Sequence, residues 1–159
     1  MTHTVACRFD GRAASLTVEA GTTLAEALGQ PVGCGEGVCG SCTLLVDGMP
    51  VRSCLMLAMQ AEGAEILGVR SLPEIESAAA DAAGLTPLQN AVMAFRAFQC
   101  GWCMPGFLVG TAAFLRDRLE VDTRELQTHF AGHLCRCIAG AGMAEAVAAL
   151  LAARREALP

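Results

Sequence analysis

Four cysteines between residues 34 and 54 constrain this chain more than any other feature, because sulfurs that must meet in one place leave few ways to fold. The segment CGEGVCGSCTLLVDGMPVRSC spaces Cys34, Cys39, Cys42 and Cys54 as C-x4-C-x2-C-x11-C, with the first three in a loop that also holds Gly33, Gly35, Gly37 and Gly40. The opening C-x4-C-x2-C is the ligand spacing of plant-type [2Fe–2S] centres, which take a fourth thiolate from further along the chain. The bridging sulfides of such a cluster carry negative charge, and a glycine-rich loop can turn backbone N–H groups toward them. The fourth ligand is expected on a separate strand, after a hairpin turn at Asp47-Gly48. Zinc is the alternative, but zinc sites usually pair two short knuckles. Here three cysteines share one loop and the fourth stands alone, so iron–sulfur is the favoured reading.

The chain of 159 residues suits one or two small domains. It contains no lysine and its arginines are scattered, which speaks against a nucleic-acid partner. The net charge of −5 is uneven. Residues 1–85 hold four Arg against ten Asp and Glu, and residues 86–159 hold seven against six. An acidic first half can orient a partner, although an ordinary solvated surface explains it equally well. Nine cysteines raise the question of a disulfide scaffold. The segment MTHTVACRFDG, however, has neither the basic start nor the apolar run of a signal peptide. Thiolates also need a reducing place in which to be loaded, so cytoplasmic assembly is expected, with export of an assembled complex left open. The mean hydropathy of +0.45 owes much to alanine and cysteine, and part of the apolar surface is expected to be covered by other subunits. Ala97 to Leu115 carries no charge and is long enough to cross a bilayer. Its Pro105-Gly106 pair would break a spanning helix. A buried loop followed by a buried helix is therefore expected, with no membrane span.

Val5, Cys7 and Phe9 alternate with polar or small residues, Asp10-Gly11 signals a turn, and Leu16 and Val18 continue the alternation. Residues 3–19 thus read as a β-hairpin, with Cys7 as a core side chain. Thr22 or Thr23 caps a short helix that turns Leu24, Ala27 and Leu28 to one side. A strand over 43–46, a return strand to Cys54 and a short strand over 65–69 complete an α+β domain across residues 1–70. The alanine-rich stretch 71–85 reads as a connector. Beyond it the pattern is helical. One helix starts at Thr86-Pro87 with Leu88, Val92, Phe95 and Phe98 as its buried stripe. A second runs from about Pro105 to Arg118. A third is capped by Asp122 and Glu125 and buries Leu126 and Phe130. A fourth, over about 142–155, buries Met143, Val147, Leu150 and Leu151. Four helices with short connections imply a small bundle.

The remaining paired cysteines lie at helix boundaries, as Cys100-Gly-Trp-Cys103 and Cys135-Arg-Cys137, with 31 residues between the pairs. Unpaired N–H groups at helix starts are expected to lower the pKa of nearby thiols and favour metal ligation. The tight C-x-C is expected to grip one iron. Taken alone, this set is equally compatible with zinc, a redox disulfide between Cys100 and Cys103, or a second cluster. His3, His129 and His133 are read as ordinary hydrogen-bonding residues.

The ordered set CGEGVCGSC…DG…SC, QCGWCMPG and HLCRC resembles the iron–sulfur subunit of the molybdenum hydroxylases, the xanthine oxidase, aldehyde oxidoreductase and CO dehydrogenase family. The resemblance covers nearly the whole chain. It implies an N-terminal β-grasp plant-type ferredoxin domain over residues 1–75 and a C-terminal four-helix bundle over 76–159, each holding one [2Fe–2S] cluster. Cys34, Cys39, Cys42 and Cys54 would ligate the first, and Cys100, Cys103, Cys135 and Cys137 the second. The resemblance further implies pterin contacts from Gln99 and Cys137, and a large molybdopterin-binding partner subunit. Electrons would leave toward FAD in a further subunit or toward a cytochrome. No residue of this chain is expected to be catalytic.

The sequence departs from the family pattern at Met104, where Thr is common, and at Ile138, Ala139 and Gly140, where Thr-Gly-Tyr is usual. The lost hydroxyls would shift the potential of the second cluster. Ser41, where Ala is frequent, either bonds the first cluster or faces solvent. The competing readings are a free-standing two-cluster ferredoxin and a zinc-stapled adaptor.

Overall fold

The computed structural model describes residues 1–137 and 141–157. Its first part is a five-stranded mixed sheet in the order β2-β1-β5-β3-β4. Strands β1 (Thr2–Phe9) and β2 (Arg12–Glu19) pair antiparallel from Thr2↔Glu19 to Phe9↔Arg12. Asp10 and Gly11 both take positive φ at the turn between them, the conformation of a tight hairpin that matches strand twist. Val5, Cys7 and Val18 are buried, as the alternation requires. Helix α1 (Leu24–Ala27) starts at a capping box between Thr23 and Glu26. It buries Leu24 and Ala25, and Ala27 and Leu28 pack partly buried against the sheet's core. Strands β3 (Thr43–Val46) and β4 (Met49–Arg52) flank Asp47-Gly48, again with positive φ at both turn residues. Strand β5 (Glu65–Leu67) is shorter than expected and runs parallel to β1 and antiparallel to β3.

The stretch 71–85 is not wholly a connector. Its start forms α2 (Leu72–Glu76), with Leu72 and Ile75 buried in the same core as the later helices. Five residues are too few to show a helical period. Glu76 is buried too; its carboxylate accepts from the Leu88 N–H at 3.2 Å and lies 3.8 Å from Arg154.

Helix α3 (Pro87–Ala94) is capped by Thr86, whose hydroxyl accepts from the Gln89 N–H. It buries Leu88 and Val92, but ends before Phe95, which is 42% exposed. Helix α4 (Met104–Leu115) has Pro105 in its first turn and is almost entirely buried. Proline thus starts the helix rather than breaking it, and among the described residues no helix is long and apolar enough to cross a membrane. Helix α5 (Thr123–Ala131) carries the Asp122–Glu125 capping box and buries Leu126 and Phe130, as expected. Helix α6 (Ala141–Glu156) buries Met143, Val147, Leu150 and Leu151. Helices α3 to α6 pack on one another, and α4 leans on α2 and β3. The largest core joins their apolar faces to Leu45 and Leu67 of the sheet. Ile138, Ala139 and Gly140 lie outside the described residues.

Candidate metal centres

The first site forms where β3 begins and β4 ends. Cys42 immediately precedes β3, and Cys54 lies just beyond β4. The Ser53 hydroxyl donates to the Cys42 carbonyl at 2.6 Å, holding the two strand ends together. Their buried side chains pack with Ala25 of α1. Burial, followed by hydrogen bonding with the Cys42 thiol, raises the Cys54 pKa, and the neighbouring Cys34 adds to it. Cys34 is exposed on the loop, and its sulfur accepts the N–H groups of Glu36 and Cys39, each at 3.3 Å. Burial works to raise the Cys39 pKa, but hydrogen bonds from Ser41 and then from Cys34 outweigh it and bring the thiol to about 6. Gly37 shows why the loop needs glycine. It has φ +75°, and a Cβ there would stand 2.3 Å from Leu55 Cδ1.

The second site joins the start of α4 to the segment after α5. Cys103 is the N-cap of α4. The Cys100 and Cys137 sulfurs lie 3.6 Å apart on the exposed side, while Cys103 and Cys135 pair further in. The contacts therefore run between the C-x2-C and C-x-C segments, not within C-x-C. The expected lowering of thiol pKa holds for Cys100, through the Trp102 N–H and then the Cys137 thiol. It fails for Cys103, which burial and then Cys135 push up to about 12. Cys137 is raised by its contact with Cys100. A bound metal takes thiols as thiolates and so offsets the raised values at Cys103 and Cys137.

This pairing bears on the metal. Zinc with Zn–S bonds of about 2.3 Å would draw four sulfurs to within about 3.8 Å of one another. At the second site the sulfur contacts come in twos, Cys100 with Cys137 and Cys103 with Cys135. Two thiol pairs per site fit a two-iron cluster, with two thiolates to each iron. None of the nine cysteines is in a disulfide.

The two sites meet at a close seam. The Leu134 N–H donates to the Cys39 carbonyl at 2.9 Å. Arg52 donates to the Thr43 hydroxyl and to the Gly132 carbonyl. A Cβ on Gly106 of α4 would stand 2.0 Å from the Gly40 carbonyl oxygen. His133 is buried in this seam, and among the described residues neither ring nitrogen has a hydrogen-bond partner, contrary to the role expected of it. His129 approaches the Thr111 hydroxyl at 3.4 Å and stacks on Phe114. Arg52, Gly106 and Leu134 carry no sequence signal of a role here. A lone arginine, a helix-start glycine and a leucine before a cysteine have many ordinary uses. Gln99 and Trp102 are exposed beside Cys100, on the same surface as Cys137.

Comparison with known proteins extends this picture. The 2Fe-2S iron-sulfur cluster binding domain matches residues 7–68, and the [2Fe-2S] binding domain matches residues 74–148. The nicotine 6-hydroxylase small subunit of Paenarthrobacter nicotinovorans is 38% identical, over 87% of this chain and 83% of its own length. The xanthine dehydrogenase iron-sulfur-binding subunit of Escherichia coli O157:H7 is also 38% identical, over 86% of each chain. The chain belongs to the small iron–sulfur subunits of the molybdenum hydroxylase family. Like other members, this small subunit is a non-catalytic electron-transfer component of an oxidoreductase. Its fold superposes on a chain of quinoline 2-oxidoreductase from Pseudomonas putida 86 with a TM-score of 0.85, at 33% identity and 98% coverage of both chains. In the aldehyde oxidoreductase of Desulfovibrio gigas the same fold (TM-score 0.83, 27% identity) occupies 18% of a longer chain. The small iron–sulfur subunit thus occurs both as a separate chain and as a segment.

Proposed function

We propose that the chain carries two [2Fe–2S] clusters and relays single electrons within a molybdopterin-dependent hydroxylase or dehydrogenase complex, from the molybdenum centre of a large partner subunit to FAD or another acceptor. Cys34, Cys39, Cys42 and Cys54 hold one cluster in a β-grasp ferredoxin domain, residues 1–75. Cys100, Cys103, Cys135 and Cys137 hold the other in a four-helix bundle, residues 76–159. When bound, each cluster supplies a one-electron couple, for plant-type centres near about −400 mV.

The observation that carries this reading is the bond from the Leu134 N–H to the Cys39 carbonyl. Leu134 precedes Cys135, so covalent bonds interrupted by that hydrogen bond run from a ligand of one site to a ligand of the other. Arg52, bonded to the Thr43 hydroxyl and the Gly132 carbonyl, ties the two loops together across the same seam. On the outer side, Gln99 and Cys137 are exposed beside Cys100 and Trp102, available for contact with a pterin held by the large subunit. Trp102, at 59% exposure, and Leu134, at 55%, give this side apolar area that a subunit interface would cover, which favours the subunit over the free-standing ferredoxin. The acceptor is reached from the first site, through FAD in a further subunit or through a cytochrome. Loading of the thiolates is assigned to the cytoplasm.

Native co-purification on a tagged chain tests the proposal. The expected result is a larger chain bearing a pterin, with about four irons per small subunit, two for each centre. Recovery of an iron-loaded chain with no pterin-bearing partner would overturn the subunit assignment in favour of the free ferredoxin.

A further inference from the structure

The sulfur of Cys39 faces a donor that is not part of the backbone. Ser41 is 3% exposed, so the solvent-facing alternative does not hold. Its Oγ lies 3.2 Å from Cys39 Sγ and 3.3 Å from the Pro31 carbonyl oxygen, and it accepts the Gly33 N–H at 3.0 Å. A hydroxyl has one proton to give. With the Gly33 N–H occupying its acceptor side, that proton goes either to Pro31 or to Cys39. A cysteine bound to iron has lost its own proton and is solely an acceptor, and its negative charge grows when the cluster takes up an electron. Hydrogen bonds to charged acceptors are the stronger kind.

We propose that Ser41 donates its hydroxyl proton to the Cys39 sulfur and thereby raises the reduction potential of the first cluster, acting through that sulfur as a positioning residue. The inference rests on the assignment of Cys39 as an iron ligand. The electron added to the cluster is the only change in the couple: the proton stays on Ser41, no bond to iron breaks, and the hydrogen bond strengthens in the reduced state. A potential set in this way makes the first cluster a better acceptor for electrons arriving from the second. The other donors to these sulfurs described above are backbone N–H groups, which a side-chain substitution leaves in place. Ser41 is a side-chain donor that a substitution removes.

The test is an EPR-monitored redox titration of the cluster-loaded full chain, with Ser41→Ala and Ser41→Thr. In Ser41→Ala the first cluster is expected to be roughly tenfold harder to reduce, a midpoint about 59 mV more negative for a one-electron couple. Ser41→Thr, which keeps the hydroxyl, is expected to restore the midpoint. The second cluster is the internal control and is expected to stay put. An unmoved first midpoint, or an equal shift of both clusters, would overturn the proposal. If the alanine chain does not hold iron at the first site, Ser41→Gly removes the hydroxyl by another route. Loss of the first cluster from both, with retention in Ser41→Thr, would also overturn it by showing a structural role. A wild-type chain without two [2Fe–2S] signals would instead refute the ligand assignment.

Discussion

At the scale of single residues, the cysteines do the most and are the most legible. Thiolate is the ligand the cluster needs, and the spacing C-x4-C-x2-C-x11-C has few other uses. Substituting Cys54→Ser, at the strand end, is expected to remove one cluster and leave the other, so that iron falls from about four to about two per chain; metal analysis of the purified variant checks this. Cys137→Ser is expected to do the same at the other site. Pairing between the sulfurs was not readable, because C-x-C looks tight in sequence while its two side chains meet different partners. Histidines were the least legible. His129 and His133 sit in a buried seam that brings them within 5.5 Å of one another, and burial, aided by Arg52, pushes both down to about 4. In the unfolded chain they titrate near about 6.5, so the unfolded state takes up protons first as the pH falls. Stability is therefore held above about 6.5 and lost progressively down to about 4, by at most about 3 kcal/mol for each histidine. Thermal unfolding of the loaded chain between pH 7.5 and 4.5 is expected to show this slope, and His129→Phe is expected to flatten it.

At the scale of elements, short-range signals were legible and long-range ones were not. The caps at Thr23, Thr86 and Asp122 are written within four residues of sequence, and all three form capping boxes. Asp122→Ala is expected to lower stability by about 1 kcal/mol in denaturant unfolding. The hairpin turns at Asp10-Gly11 and Asp47-Gly48 were equally plain. Helix α2 is not legible because five residues carry no period, and the sequence does not mark the end of α3 at Ala94, one residue before Phe95. The seam was invisible for a different reason. Gly106 reads as a residue near a helix start, yet its missing Cβ lets α4 lie against the Gly40 carbonyl of the other site. Gly106→Ala is expected to force the two loops apart and cost at least about 1–3 kcal/mol. The same change is expected to weaken the magnetic interaction between the two reduced centres, read as loss of splitting in low-temperature EPR.

At the scale of the whole molecule, the two cysteine sites are parts of one packed body. Leu45 and Leu67 of the sheet share a core with α2 to α6, and the Arg52 guanidinium spans from β4 to the Gly132 carbonyl after α5. Exposure of Cys100, Cys137, Gln99 and Trp102 on one side leaves the second site open toward a partner. Glu76, buried between α2, the start of α3 and Arg154 of α6, ties the ends of the helical part together. Replacing Glu76 with Ala is expected to lower stability by about 1–3 kcal/mol, measurable by urea unfolding. The claim beneath all of this is that the eight sulfurs hold two separate iron–sulfur centres. Spin quantitation by low-temperature EPR of the anaerobically purified, dithionite-reduced chain tests it most directly. The account predicts two distinguishable signals that together integrate to about two spins per chain, one for each reduced [2Fe–2S] centre. A chain with zinc in place of iron and no signal, or with one spin alone, would contradict it.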